Sequence, residues 1–130
     1  MDSQLLSGCK VLVVEDEMLV LMAIEDMLSD LGCTSISVAA NIDKALDLIK
    51  TKEFDAATLD VNLNGRRSDP IAKALREHGV PFAFSTGYGE DGIKGGHGGH
   101  LVLRKPYTCS QFTEVMASLL LEGRSPVLAS

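Results

Sequence analysis

Three acids, two hydroxyls and an amine stand where short apolar runs stop. KVLVVED closes on Glu15 and Asp16, AATLD on Asp60, PFAFST on Ser85 and Thr86, and LVLRK on Lys105. Each run is short, apolar and bounded by polar residues, the pattern of a buried strand. In an open parallel sheet, sites form beyond the carboxyl ends of the strands, where strand order reverses. These ends are therefore expected to converge. Three carboxylates brought together repel and raise one another's pKa values. A hard divalent cation relieves this: Mg²⁺ (or Mn²⁺ in its place) takes a few carboxylates, waters and phosphate oxygens. A carboxylate can also be a nucleophile that forms an acyl phosphate. Phosphoryl transfer mainly requires positioning and neutralisation of the phosphoryl oxygens. A cation, the Lys105 ammonium, the Thr86 hydroxyl and backbone N–H groups are the parts such chemistry uses.

The elements that must position these groups alternate. Between the first and second strands, DEMLVLMAIEDMLSDLG is helical, with acids at its start, Gly32 as its stop signal, and Val20, Ile24, Met27, Leu28 and Leu31 on one apolar face. TSISVAA, residues 34–40, is the second strand, and Asn41 caps IDKALDLIKT. The third strand, FDAATLDV, is followed by a loop, NLNGRRS. Pro70 sits in the first turn of a helix reaching about His78, with Ser68 or Asp69 as cap. VPFAFST and HLVLRK are the fourth and fifth strands, and TCSQFTEVMASLLLEG is the last helix. Strands alternating with helices predict an α/β fold, a doubly wound five-stranded parallel sheet covered on both faces. Where the fourth crossover is due, the chain reads GYGEDGIKGGHGG, residues 87–99. Each glycine there weakens a helix by about 1 kcal/mol relative to alanine, so that crossover helix is expected to be short, disordered or missing.

Composition narrows the rest. A chain of 130 residues with 45% hydrophobic content suits one domain with a real core. Its net charge of −6 argues against nucleic acid, whose phosphates demand basic patches. No apolar run approaches the roughly 18 residues of a membrane span, and no signal peptide is evident. Cys9, Cys33 and Cys109 are odd in number and lack CxxC spacing, which suits a reducing, cytoplasmic setting. His97 and His100 supply only two ligands in a glycine-rich segment, too few for a metal site. The glycine stretch has no GxxxxGK[ST] pattern and precedes no helix, so it is no phosphate cradle. Arg66 and Arg67 read as solvated loop charges.

VLVVEDE, LDVNLNG, FSTGY and LRKPY, in that order and each at the end of a different strand, resemble the receiver domain of two-component response regulators over about residues 8–122, leaving short tails at 1–7 and 123–130. PFAFSTGYG is similar to the FATGUY subgroup, with Ser85 in place of an alanine. The resemblance implies the flavodoxin-like strand order 2-1-3-4-5. It implies that Asp60 accepts a phosphoryl group, that Glu15, Asp16, Asp60 and the backbone carbonyl of Asn62 hold Mg²⁺, and that Lys105 and Thr86 contact phosphoryl oxygens. Asn62 and Tyr88 would tune access of water, and Pro106 would fix the turn after Lys105. The implied donor is a sensor histidine kinase, of the HWE class for this subgroup. Any output would be a protein–protein contact, since only a short tail follows. Such a domain catalyses its own phosphorylation and dephosphorylation and turns over no external substrate.

The sequence departs from the family in three places. The aromatic usual on strand five, three residues before the lysine, is Val102; Tyr88 is a candidate substitute. The proline usual after the leucine of the phosphoacceptor loop is Asn64, ahead of Gly65. The glycine stretch replaces a helix. A phosphate sink or relay without a target fits the same residues. A haloacid dehalogenase-type phosphatase would need an Asp where Asn62 stands, and a flavodoxin would need a Ser/Thr-rich loop after strand one. On the first helix, Leu19 and Met22 exceed what one core stripe requires and offer a kinase-docking surface.

Overall fold

The computed structural model describes residues 4–63, 65–86, 101–105 and 107–124. The chain runs β1 (Lys10–Val14), α1 (Met18–Asp30), β2 (Ser35–Ala39), α2 (Ile42–Thr51), β3 (Ala56–Asp60), β4 (Asn62–Leu63), β5 (Arg66–Arg67), α3 (Asp69–Glu77), β6 (Phe82–Thr86), β7 (Leu101–Arg104) and α4 (Cys109–Arg124). The main sheet has five strands in the order β2-β1-β3-β6-β7, with every pairing parallel. Numbered within that sheet alone, this is the expected order 2-1-3-4-5. The expectations for Gly87–Gly99, Tyr88, His97, His100, Asn64 and Pro106 lie outside the described residues.

Alternation along the strands sorts side chains into two cores. Leu12, Val14, Ala57, Leu59, Phe82 and Phe84 face the side covered by α2 and α3, where Ile49, Ile71 and Leu75 meet them. Val11, Val13, Ala56, Ala83 and Leu103 face the side covered by α1 and α4, against Ile24, Leu28, Phe112 and Met116. Leu6, ahead of β1, is buried in this second core, and its N–H donates to the Leu31 carbonyl at 2.8 Å. Helix α1 keeps its expected apolar face, with Gly32 closing it at a φ of 89°. Leu19 and Met22 are 82% and 52% exposed, as expected. Asn41 caps α2 by accepting the Lys44 N–H at 2.8 Å.

Two local details depart from the sequence reading. NLNGRRS is not a plain loop: β4 and β5 pair antiparallel, with Gly65 turning at a φ of 84° and its N–H donating to Asn62 Oδ1 at 2.9 Å. A glycine suits that turn because the left-handed region carries no Cβ penalty for it. Ser68 occupies the N-cap position of α3 but makes no side-chain cap bond. Its hydroxyl donates to the Val61 carbonyl at 3.1 Å, and its N–H donates to the same carbonyl at 3.0 Å. Ser68 thus ties the far end of the hairpin to the residue that follows Asp60. Ser68→Ala is expected to lower stability by roughly 1 kcal/mol, the net worth of one hydrogen bond, seen as a reduced urea midpoint at unchanged m-value.

Candidate functional site

The chain leaves β1 toward β2 on one side and then builds β3, β6 and β7 on the other, so strand order reverses between β1 and β3. Glu15 and Asp16 follow β1, and Asp60 ends β3, at the carboxyl edge of that reversal. Alternation from Val13 carries Glu15, and from Ala56 carries Asp60, toward the α1/α4 side. Glu15, Asp16 and Asp60 each offer a carboxylate oxygen, all within 4.8 Å of one another. Glu15 is 1% exposed and Asp60 3%.

Lys105 reaches this cluster from beyond β7. Since β6 lies between β7 and β3, its side chain must cross one whole strand, a span of about 10 Å between the flanking strands. The Lys105 N–H donates to the Thr86 carbonyl at 2.8 Å, which anchors the crossing. The ammonium then lies 3.2 Å from Asp60 Oδ2 and sits astride the Glu15 carboxylate, 3.1 Å from Oε1 and 3.2 Å from Oε2. Only Oε2 is aligned to accept a hydrogen bond; Oε1 is buried and accepts none. Glu17, exposed on the rim, holds the same ammonium at 3.4 Å.

Burial is the largest influence on Glu15, and the neighbouring Asp60 charge adds to it. Together they push its pKa up to about 7 against the opposing pull of Lys105. Burial also raises Asp60, although the Asn62 N–H, donating to Asp60 Oδ1 at 3.2 Å, and the Lys105 charge work against it. For Lys105, burial disfavours the charge, yet Asp60 and Glu15 outweigh it and hold the ammonium above its ordinary value. The cluster is one cation shared among more negative charge than it can balance. That donor set, three carboxylates with a buried oxygen lacking a hydrogen bond, suits a hard divalent cation.

The structure therefore brings Glu15, Asp16, Asp60 and Lys105 together, with Asn62 attached to Asp60 through its backbone N–H. Thr86 is fully buried at the end of β6, beside the Lys105 crossing. Arg66 and Arg67 are exposed, and Arg67 pairs with Asp69 at 3.0 Å. No disulfide joins Cys9, Cys33 and Cys109. Val102 is 36% exposed on β7. Sequence reasoning passed over Glu17, read only as a helix-start acid, and Tyr107, whose ring stacks on Phe112 with centroids 6.0 Å apart. The signal for Tyr107 was its place two residues beyond Lys105, just ahead of the last helix.

Comparison with known proteins places this arrangement. Residues 11–116 match the response regulator receiver domain family. The solution structure of SdrG from Sphingomonas melonis Fr1 is similar at 37% identity and a TM-score of 0.79, covering 89% of this chain and 98% of that one. The receiver domain of the sensor histidine kinase PA1611 from Pseudomonas aeruginosa, solved with a magnesium ion coordinated in its active site cleft, shares the fold at 21% identity. Its TM-score is 0.77, over 88% of this chain and 98% of that one. The transcriptional regulatory protein DltR of Streptococcus agalactiae is 37% identical over 79 residues, 59% of this chain and 35% of that protein. The chain spans only 25% to 36% of the length of the curated relatives it matches. Among the described residues, no helix is long and apolar enough to cross a membrane. With the strand order, the acid cluster at its reversal and the match over residues 11–116, the chain belongs to the response regulator receiver domain family.

Proposed function

We propose that this chain accepts a phosphoryl group on Asp60 from the phosphohistidine of a sensor histidine kinase, and signals by protein–protein contact. The observation that carries this reading is the buried Asp60 carboxylate, clustered with Glu15 and Asp16 and held 3.2 Å from Lys105. A carboxylate oxygen of Asp60 attacks phosphorus, the P–N bond breaks with its electron pair left on the imidazole, and an acyl phosphate forms. Lys105, already charged and crossing β6, neutralises a phosphoryl oxygen. Thr86 donates its hydroxyl to another. Glu15, Asp16, Asp60 and the Asn62 carbonyl would hold Mg²⁺, which when bound offsets the negative charge of the carboxylates and of the transferred group. Asn62 and Tyr88 tune the lifetime of the product.

The exposed apolar side chains of α1, Met18, Leu19 and Met22, support docking of a kinase helix beside the site. PFAFSTGYG supports membership of the FATGUY subgroup and, with it, an HWE-class donor. A phosphate sink without a target shares all these features. A target retained only by the phosphorylated form in a pull-down excludes the sink. The haloacid dehalogenase-type reading is disfavoured: Asn62 stands where its acid is needed, and the Asn62 side chain is engaged by the Gly65 N–H.

Incubation with acetyl phosphate and Mg²⁺ is expected to add one phosphoryl mass to the protein. Asp60→Asn and chelation of divalent ions should each abolish the gain. A gain that persists in Asp60→Asn overturns the assignment.

The raised carboxyl pKa values have a definite sign in stability. Glu15 moves from 4.5 to about 7 on folding, and Asp60 moves in the same direction. The folded state therefore holds protons that the unfolded chain has released, and stability falls as pH rises from about 4.5 through about 7. Without divalent ions, the urea midpoint is expected to be higher near about pH 5.5 than about pH 7.5. Excess Mg²⁺ should restore it at the higher pH by binding the folded state alone. Asp60→Asn should reduce the slope and raise the midpoint at neutral pH, because one desolvated charge and its repulsion of Glu15 are gone.

A further inference from the structure

Beneath the Lys105 crossing lie two hydroxyls that the chemistry above does not use. Ser85 is the register partner of Asp60 across the β3–β6 pairing and of Leu103 across the β6–β7 pairing. Alternation from Ala83 puts its side chain on the α1/α4 side, the side of Asp60 and Glu15. It is 2% exposed, and its Oγ has no hydrogen-bond partner. Tyr107 follows Lys105 by two residues. Its ring packs against the α1/α4 core and stacks on Phe112 of α4, the planes 13° apart. Its hydroxyl is also buried without a partner. Burial raises this phenol to about 12, so it is a neutral donor at ordinary pH. Ser85 is near enough to oppose part of that rise, and the charges of Glu15, Lys105 and Asp60 also reach it.

A buried hydroxyl left unpaired costs about 1–3 kcal/mol. Two such hydroxyls, buried on the same side of the sheet as the acid cluster, need a use. Alanine at one position and phenylalanine at the other would fill the same space without that cost. The lysine crosses β6, the strand that carries Ser85; its N–H is held by the Thr86 carbonyl, and two residues later the Tyr107 ring is held on Phe112.

We propose that Tyr107 and Ser85 form a positioning pair: on phosphoryl transfer a small shift of the two side chains lets the phenol donate to Ser85 Oγ, and the pair holds Lys105 in register with Asp60. The pair touches neither the cation side of the cluster nor the donor. It acts through the angle at which the ammonium and the acceptor oxygen meet the incoming phosphorus, a geometry to which transfer rates are sensitive. Tyr107 also joins the site to the first turn of α4, so that a shift in Lys105 is felt there.

The inference rests on Asp60 being the phosphoryl acceptor, and the test separates the two. Tyr107→Phe, Ser85→Ala and the double variant are compared with the parent for the initial rate of phosphoryl uptake from acetyl phosphate, for Mg²⁺ affinity, and for the NMR resonance of the Lys105 side-chain ammonium. Each single variant is expected to slow uptake about fivefold or more, and the double variant to be no slower than the slower single, because the two hydroxyls act as one unit. Mg²⁺ affinity should be unchanged, and the Lys105 resonance should move. A purely structural role would shift neither the rate nor that resonance. Uptake by Tyr107→Phe within twofold of the parent, or losses that multiply in the double variant, overturns the pair. If the parent takes up no phosphoryl group, the function proposed above fails, and the Lys105 resonance decides: moved by Tyr107→Phe it upholds the pair, unmoved it refutes it.

Discussion

The arrangement depends on one imbalance of charge. Glu15 and Asp60 are almost fully buried, and a single ammonium, reaching across a strand, is shared between them and the exposed Glu17. Desolvation disfavours all the ionised forms, and in this pocket attraction to Lys105 offsets only part of that for the acids. A stable core would not be built this way, since buried charge is weak evidence of stability even when paired. The cluster becomes favourable when further positive charge arrives.

Everything else in the fold serves to keep those groups at one edge. Two separate cores, one on each face of the sheet, fix the strands rigidly while leaving their carboxyl ends to polar residues. The reversal of strand order opens the crevice between β1 and β3. The small hairpin β4–β5, tied back by Ser68, braces the chain immediately after Asp60 and turns the Asn62 N–H onto its carboxylate. The lysine follows the edge strand and reaches across β6 to the acids.

That crossing also makes the neighbourhood of Ser85 and Tyr107 matter. The position where the family usually carries an aromatic on the last strand is Val102 here, and it is 36% exposed. Tyr107, beside the same strand, is anchored by α4, and its phenol feels the charges of the cluster.

The sequence alone determined the alternation of strands and helices, the five-stranded parallel sheet, the apolar face of α1 and the convergence of Glu15, Asp16, Asp60 and Lys105, because periodicity and strand-end chemistry are local and topological rules are few. The Asn41 cap and the Gly32 stop were legible for the same reason. Only the tertiary structure decided that NLNGRRS pairs with itself, that Ser68 bonds Val61 instead of capping α3, that Glu17 shares the lysine, and that Ser85 and Tyr107 bury their hydroxyls. Each of these depends on which groups burial deprives of water, and a hydroxyl's partner is chosen by distance across elements that the order of residues along the chain does not record.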